Sequence, residues 1–459
     1  MNTKNQKSKI CEHCKQNFTI KEEELTLYEK VGIELPTICF FCRIKLHLSF
    51  WMFGKFRKIK SDLSGKNLIT VLPEKNRYPI YTLTEWHSDK WNARLFYSKH
   101  SRDCLDSYFL YDCRNCQNCF MCWNLRSKSH CLENIQYTKE EYEKRLKSFK
   151  LGSYKSIQSL KRHFAEIIQN EAVHRQNFNF KIYNSDGDYL LDCKNCHNCN
   201  TINDSEDCYN CIRGLKHKSE IDANGCWYSE LIGNCNCCID SYCLKYSNWS
   251  SARYSEYLDL CIECEYCFGC VGLRKKKYCI LNKQYTKESF DELRTRIVGD
   301  MKKRGEYGKF LPYSMGAGPF NFSTSFLYFP ETKKEDILRQ GGYWEDIDES
   351  QIERMPTSEL PDDIKNVPDT ITNQALICPK SGWRFNIAQN ELTFYRANNI
   401  PLPHYHFDVR TKNRLKDLTI LQSYPYKCFY CKKDTEVYYL PEWNYQKIAC
   451  EECYRQNIA

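Results

Sequence analysis

The cysteine-rich middle of this chain, from Cys104 to Cys279, constrains its fold more than any other stretch. It carries CRNCQNCFMCWNLRSKSHCLENIQYTKE and, 148 residues further on, CIECEYCFGCVGLRKKKYCILNKQYTKE. The two align without a gap: Cys113, Cys116, Cys119, Cys122 and Cys131 fall on Cys261, Cys264, Cys267, Cys270 and Cys279. A shorter copy, DCKNCHNC, sets Cys193, Cys196 and Cys199 between them. Cysteines recur nine apart at Cys104, Cys113, Cys122 and Cys131, and eighteen apart at Cys193 and Cys211, Cys208 and Cys226, Cys243 and Cys261. A fixed period points to a solenoid, here with turns of about 18 residues made of two or three short stacked strands. Free Cys suits an inward rung, because it packs as a small hydrophobe and needs no strong hydrogen-bond partner.

Two metal chemistries compete with packing for these thiols. Repeated zinc knuckles are one, since C-x2-C supplies two thiolates in chelating geometry. An iron–sulfur cluster is the other, but the bacterial run ends x3-C-P, whereas two-residue spacers lead to Cys122 and Cys270. The short copy favours packing. Ile202 stands where its fourth Cys would be, and an apolar interior tolerates that exchange while a ligand set does not.

At 459 residues the expectation is about three domains. Thirty Cys and 33 Tyr, with little Val, speak for small modules held by metal or repetition rather than one large aliphatic core. The chain has no apolar run of 18 residues and no signal-peptide-like start, so no membrane association is expected. Reduced thiols in a cytoplasmic setting are expected on the same ground. The net charge of +9 permits contact with nucleic acid without requiring it.

Both ends carry paired knuckles. Cys11-x2-Cys14 is followed by Cys39-x2-Cys42, and Cys428-x2-Cys431 by Cys450-x2-Cys453. Each set makes a closed four-thiolate Zn2+ site, structural because no position stays open for a substrate. The first segment, with CEHCKQNF, Glu24, Tyr28, Gly32, Pro36 and CFFCR, resembles the trcl-type probable zinc-ribbon domain. That resemblance covers about 35 residues and implies zinc binding through Cys11, Cys14, Cys39 and Cys42. A second copy aligns on it from Cys378 to Arg410, with Glu24 on Glu391 and Tyr28 on Tyr395. Its ligands have decayed to Cys378 and His406, a weak candidate metal pair that Asp408 or His404 could help. The chain as a whole resembles Cys-rich zinc-ribbon proteins, a resemblance that brings no activity with it.

Residues 43–60 hold six cations and no acid. Arg43, Lys45, Lys55, Arg57, Lys58 and Lys60 are the candidate phosphate contacts, with Phe50, Trp51, Phe53 and Phe56 to stack on unpaired bases. The competing expectation is a helix packed on the ribbon, its cations snorkelling to solvent. Capping signals at Thr138 and Thr286 open helices that cover the ends of the Cys-rich blocks.

The expected architecture is multi-module and mainly β, with zinc ribbons flanking a helix-capped β-solenoid-like repeat. Its modules are 1–60, ribbon plus basic helix; 61–100, short β segment; 101–182 and 183–305, the two Cys-rich blocks; 306–375, an aromatic and acidic linker; 376–415, the degenerate ribbon; and 416–459, the last ribbon. Walker, nucleophile-elbow, zincin and dinucleotide motifs are absent. The expected function is a non-enzymatic zinc-binding platform for nucleic acid, RNA or single strands. Alternatives are a protein-interaction scaffold and a redox or metal-buffering protein.

Overall fold

The computed structural model describes residues 6–52, 57–60, 67–70, 93–227, 229–346, 355–416 and 422–458, with only the backbone at 57–60, 67–70 and 93. The fold is mainly β, with several sheets and about ten helices. It divides into two compact units, residues 1–82 with 177–346, and residues 83–176 with 347–459. Each ribbon at a chain end thus belongs to a unit with one Cys-rich block, a grouping the linear module order did not anticipate.

In the first unit an 11-stranded sheet runs from Phe180–Tyr183 to Lys283–Gln284. Its strands pair in parallel until the last, which turns back antiparallel. From Gly187 to Lys245 the register advances by twelve residues, with Leu190 opposite Ile202, Ile202 opposite Gly214 and Ala223 opposite Cys235, while Phe180 opposite Leu191 and Tyr242 opposite Arg253 are steps of eleven. A three-residue rhythm underlies this step. Asn198, Thr201, Asp204, Asp207 and Asn210 all take left-handed conformations, with φ between 50° and 58°. Asn and Asp tolerate that region better than other side chains. The residue after each then faces inward, so Cys199, Ile202, Ser205, Cys208 and Cys211 are all buried.

The inner thiols are hydrogen-bonded as well as packed. Cys199 Sγ reaches the His197 carbonyl at 3.3 Å and the Cys208 carbonyl at 3.7 Å. Ser205 fills the same kind of position, donating to the Asn203 carbonyl and accepting from the His217 N–H. This corrects the expected eighteen-residue turn. Nine is a contact distance, from a sulfur to a carbonyl nine residues on, while the strands themselves step by twelve.

The four-cysteine segment at 7–48, the expected ribbon, lies against this sheet. It comprises strands Lys7–Ile10 and Asn17–Ile20 and helices Glu22–Val31 and Phe40–Leu48. The expected helix over 43–60 stops at Leu48, and Arg57–Lys60 forms a strand antiparallel to Asn67–Thr70. Of the short β segment expected at 61–100, residues 61–66 and 71–92 lie outside the described residues. The stretch after 306 is no mere linker: Phe310, Leu311, Tyr313, Phe320 and Ile337 are buried with Leu46 and Phe50. Its Gly and Pro suggested loop, but its aromatics cover the ribbon helix. Thr286 caps helix Lys287–Lys303, which covers Phe268 and Ile280 at the end of the sheet.

The second unit repeats the design on a smaller scale. Of five strands between Ala93 and Gln136, the first four step by the same twelve residues, with Leu105 opposite Gln117 and Cys119 opposite Cys131, and the last turns back antiparallel. Cys104, Cys113, Cys116, Cys119, Cys122 and Cys131 line the interior with Leu110. Thr138 and Glu141 form a capping box on helix Lys139–Lys147. Phe164 and Ile168 of helix Tyr154–Asn170 then bury Phe109 and Phe120. The 376–415 copy keeps its ribbon-like helices, Gln389–Ala397 and Phe407–Leu415, around Leu376, Ile387, Leu392 and Leu402. Leu360, Ile364, Val367 and Ile371, from the stretch expected to be linker, complete that core.

Candidate metal centres

Two local folds bring four cysteines together at each chain end. In the first, Lys15 takes φ 62° and returns its N–H to the Cys11 carbonyl, so Cys11 and Cys14 point the same way. Cys39 sits just before helix Phe40–Leu48 and Cys42 in its first turn. The four sulfurs lie within 4.8 Å of one another, with Cys14 and Cys39 3.7 Å apart. The Cys14 and Cys39 N–H groups both point at Cys11 Sγ. Hydrogen bonding with Cys42, against the effect of burial, brings the Cys39 thiol down to about 5.

The second site reproduces this arrangement although its knuckles are closer in sequence. Lys432 takes φ 61°, Cys450 precedes helix Glu451–Asn457, and Cys431 and Cys450 are 3.8 Å apart. Burial works to raise the Cys428 thiol, but backbone N–H groups of Cys450, Cys431 and Tyr430 outweigh it and hold it near 6. Sulfur separations of 3.7 and 3.8 Å match the edge of a tetrahedron whose metal–sulfur distance is about 2.3 Å. Both groups could hold a metal ion.

The degenerate copy gathers no such set among the described residues. Ser381 and Val409 stand where ligands would be. His404 stacks on Tyr154 with centroids 3.5 Å apart, and His406 accepts from the Asp408 N–H while its ring meets Trp383 edge-on. Packing has replaced coordination there.

The candidate phosphate contacts divide. Arg43 is buried, 2.9 Å from Asp222 and bonded to the Ile38 carbonyl, and so is unavailable to a ligand. Lys45 lies 3.8 Å from Glu331 and over the ring of Phe329. Phe50 is buried. Lys55, Phe53 and Phe56 and the side chains of Arg57, Lys58 and Lys60 lie outside the described residues.

Sequence reasoning missed a third group, Cys211, His217 and Glu220, all buried with ligand atoms within 4.8 Å of one another. A three-residue lattice carried from Cys199 through Cys208 would have placed all three inward. No helix among the described residues is long and apolar enough to cross a membrane. Compared with known proteins, the chain matches no family model, no curated protein and no solved structure.

Proposed function

We propose that this protein is a non-catalytic, cytoplasmic zinc-binding scaffold, in which each unit is a short β-solenoid of twelve residues per turn clamped by a four-cysteine zinc ribbon. The parallel register supports the solenoid reading. The tetrahedral sulfur spacing supports Zn2+, which four thiolates bind in closed, structural sites. None of the thirty cysteines is joined in a disulfide, which suits a reducing compartment.

The observation favouring a protein partner is the charge ladder on the first unit's long sheet. Lys194 pairs with Glu206, Lys218 with Glu230 and Lys277 with Glu265, at 2.7, 3.3 and 2.6 Å. Such alternation neutralises the face rather than preparing it for a polyanion. Beside it Tyr254, Tyr266 and Tyr278 stack at 5.0 and 5.3 Å, nearly parallel, so their π faces already meet one another and not a base. Tyrosine edges of this kind are common in protein interfaces, and solenoids present long surfaces for them.

Nucleic acid is the second reading, favoured by the acid-free run Lys55, Arg57, Lys58 and Lys60. One titration separates the two. Full-length protein and a labelled single-stranded RNA are mixed at rising salt, with the Lys55, Arg57, Lys58 and Lys60→Gln variant alongside. The scaffold reading expects little binding at physiological salt and no change in the variant. A log-affinity slope near −3 against log salt, roughly −0.7 for each of four phosphate contacts, flattened in the variant, would transfer the function to nucleic acid. For the ribbons, Cys14→Ser and Cys431→Ser are each expected to remove one zinc equivalent. Unchanged metal content in either would end the zinc assignment there.

A further inference from the structure

From Leu190 to Ser250 every third residue faces the interior of the long sheet, and all are buried except Gly214. Those side chains are Cys, Ser, Ala, Leu and Ile, with two exceptions: His217 and Glu220, 1 % and 0 % exposed. The departures are grouped. His217 Nδ1 lies 2.6 Å from Glu220 Oε2. Cys211 completes the group, its Sγ within 4.8 Å of the ligand atoms of His217 and Glu220. Gly214 between them makes the room, since a Cβ there would fall 1.6 Å from His217 Nε2 and 2.6 Å from the Cys226 carbonyl.

An ion pair alone leaves this group unsatisfied. His217 Nε2 and Glu220 Oε1 are buried, and neither meets an oxygen or nitrogen partner. Leaving such polar atoms buried without partners costs stability. A nucleophilic Cys–His–Glu arrangement is no better, because Cys211 and Glu220 have no exposed surface and a substrate could not arrive. A metal ion satisfies both atoms. The Glu220 contact fixes the imidazole through Nδ1 and turns Nε2 toward the thiol, as carboxylates do behind metal-bound histidines.

We propose that Cys211, His217 and Glu220 form an internal site for a divalent transition-metal ion of borderline softness, with Zn2+ the expected occupant. Cys211 Sγ and His217 Nε2 are the primary ligands. Glu220 orients the imidazole through Oε2 and offers Oε1 as a third donor, and Cys208 and Cys199 supply the nearest further thiols. Mixed thiolate and imidazole donors suit zinc. The ion is enclosed as the strands stack, so it is taken up during folding.

The test is metal analysis of the full chain grown with zinc, before and after neutral EDTA, and grown with cobalt for spectroscopy. Three ions per chain are expected. EDTA should strip the ribbon ions, whose Cys14 and Cys431 are exposed, and leave one. That retained ion, as Co2+, should show thiolate charge transfer with mixed sulfur and nitrogen ligation. His217→Gln should lower the count by one, while Cys378→Ala should leave it at three. A wild-type count of two, with none surviving EDTA, overturns the site. So does a third ion lost in Cys378→Ala instead of His217→Gln. Should His217→Gln fail to fold, the wild-type count and the ligation of its retained cobalt decide alone.

Discussion

Most inward cysteines donate to a backbone carbonyl as well as pack, so their value comes from both. Cys116 is 1 % exposed and donates to the Arg114 carbonyl at 3.3 Å. Cys116→Ala is expected to cost about 1–3 kcal/mol, the lower part of the large-to-small range because few atoms go. Metal content should stay the same, and loss of a metal equivalent would show the block to be a knuckle array. His174 is a buried polar residue of the opposite kind. Its Nδ1 lies 2.6 Å from the Tyr111 hydroxyl and its Nε2 2.8 Å from the Ile168 carbonyl, which suits a neutral ring donating from Nε2. Burial pushes it down to about 4, against that carbonyl. Its unfolded value is near 6.5, so between the two the unfolded chain binds more protons and stability falls with falling pH. From pH 7.5 to 5.5 the loss due to His174 is about 1 kcal/mol. Urea unfolding of His174→Gln should show a correspondingly flatter pH dependence, and an imidazole resonance titrating near 6.5 in the folded protein would refute it.

At the scale of elements, the ribbon at 7–48 is held to its sheet by one buried polar knot. Asp222 accepts from the Tyr28 hydroxyl at 2.5 Å and pairs with Arg43 at 2.9 Å, while both nitrogens of His47 reach Asn224 and Asn234 at 2.8 Å. Removing one partner of a buried pair leaves an uncompensated charge, so Arg43→Ala should cost about 3–5 kcal/mol. Lys30→Ala breaks an ion pair with Asp207 that is largely in solvent and should cost less than about 1 kcal/mol. Equal costs in urea unfolding of the zinc-loaded proteins would remove the knot from the account. The knot also marks the reach of sequence reading. The four-cysteine groups and the Thr138 capping box were legible, because knuckle and cap chemistry is local and spacing alone carries it. Arg43 was misread because charge suggests solvent, and its partner Asp222 lies far along the chain. The twelve-residue step was hidden because Ser205, Ser229 and Ser241 fill inward positions with the same hydrogen bonding as Cys, so counting cysteines alone sampled the lattice unevenly. His217 disappeared with it.

For the whole molecule, the order of the two units along the chain matters most. Residues 1–82 and 177–346 make one unit, and 83–176 and 347–459 the other, so neither is continuous. The second unit therefore closes only when its last segment arrives. That segment brings Ile448–Ala449 to pair with His174–Arg175, stacks Tyr445 on His174 at 3.7 Å, and sets the Tyr454 hydroxyl on the buried carboxylate of Asp112. Without it, Asp112 keeps Arg114 and Arg126 as charged neighbours, at 3.4 and 3.7 Å. A chain ending at residue 346 retains every segment of the first unit and loses more than half of the second. Limited proteolysis of that chain should cut first between residues 93 and 176, where buried Asp112 and His174 lose Tyr454 and Tyr445. The stretch 177–346 should stay protected, and the group Cys11, Cys14, Cys39 and Cys42 should bind as much metal as in the full chain. Protection of 93–176 equal to that in the full chain would mean that the first Cys-rich block and its helices are stable alone, and that the C-terminal ribbon is an addition to the unit rather than its closure.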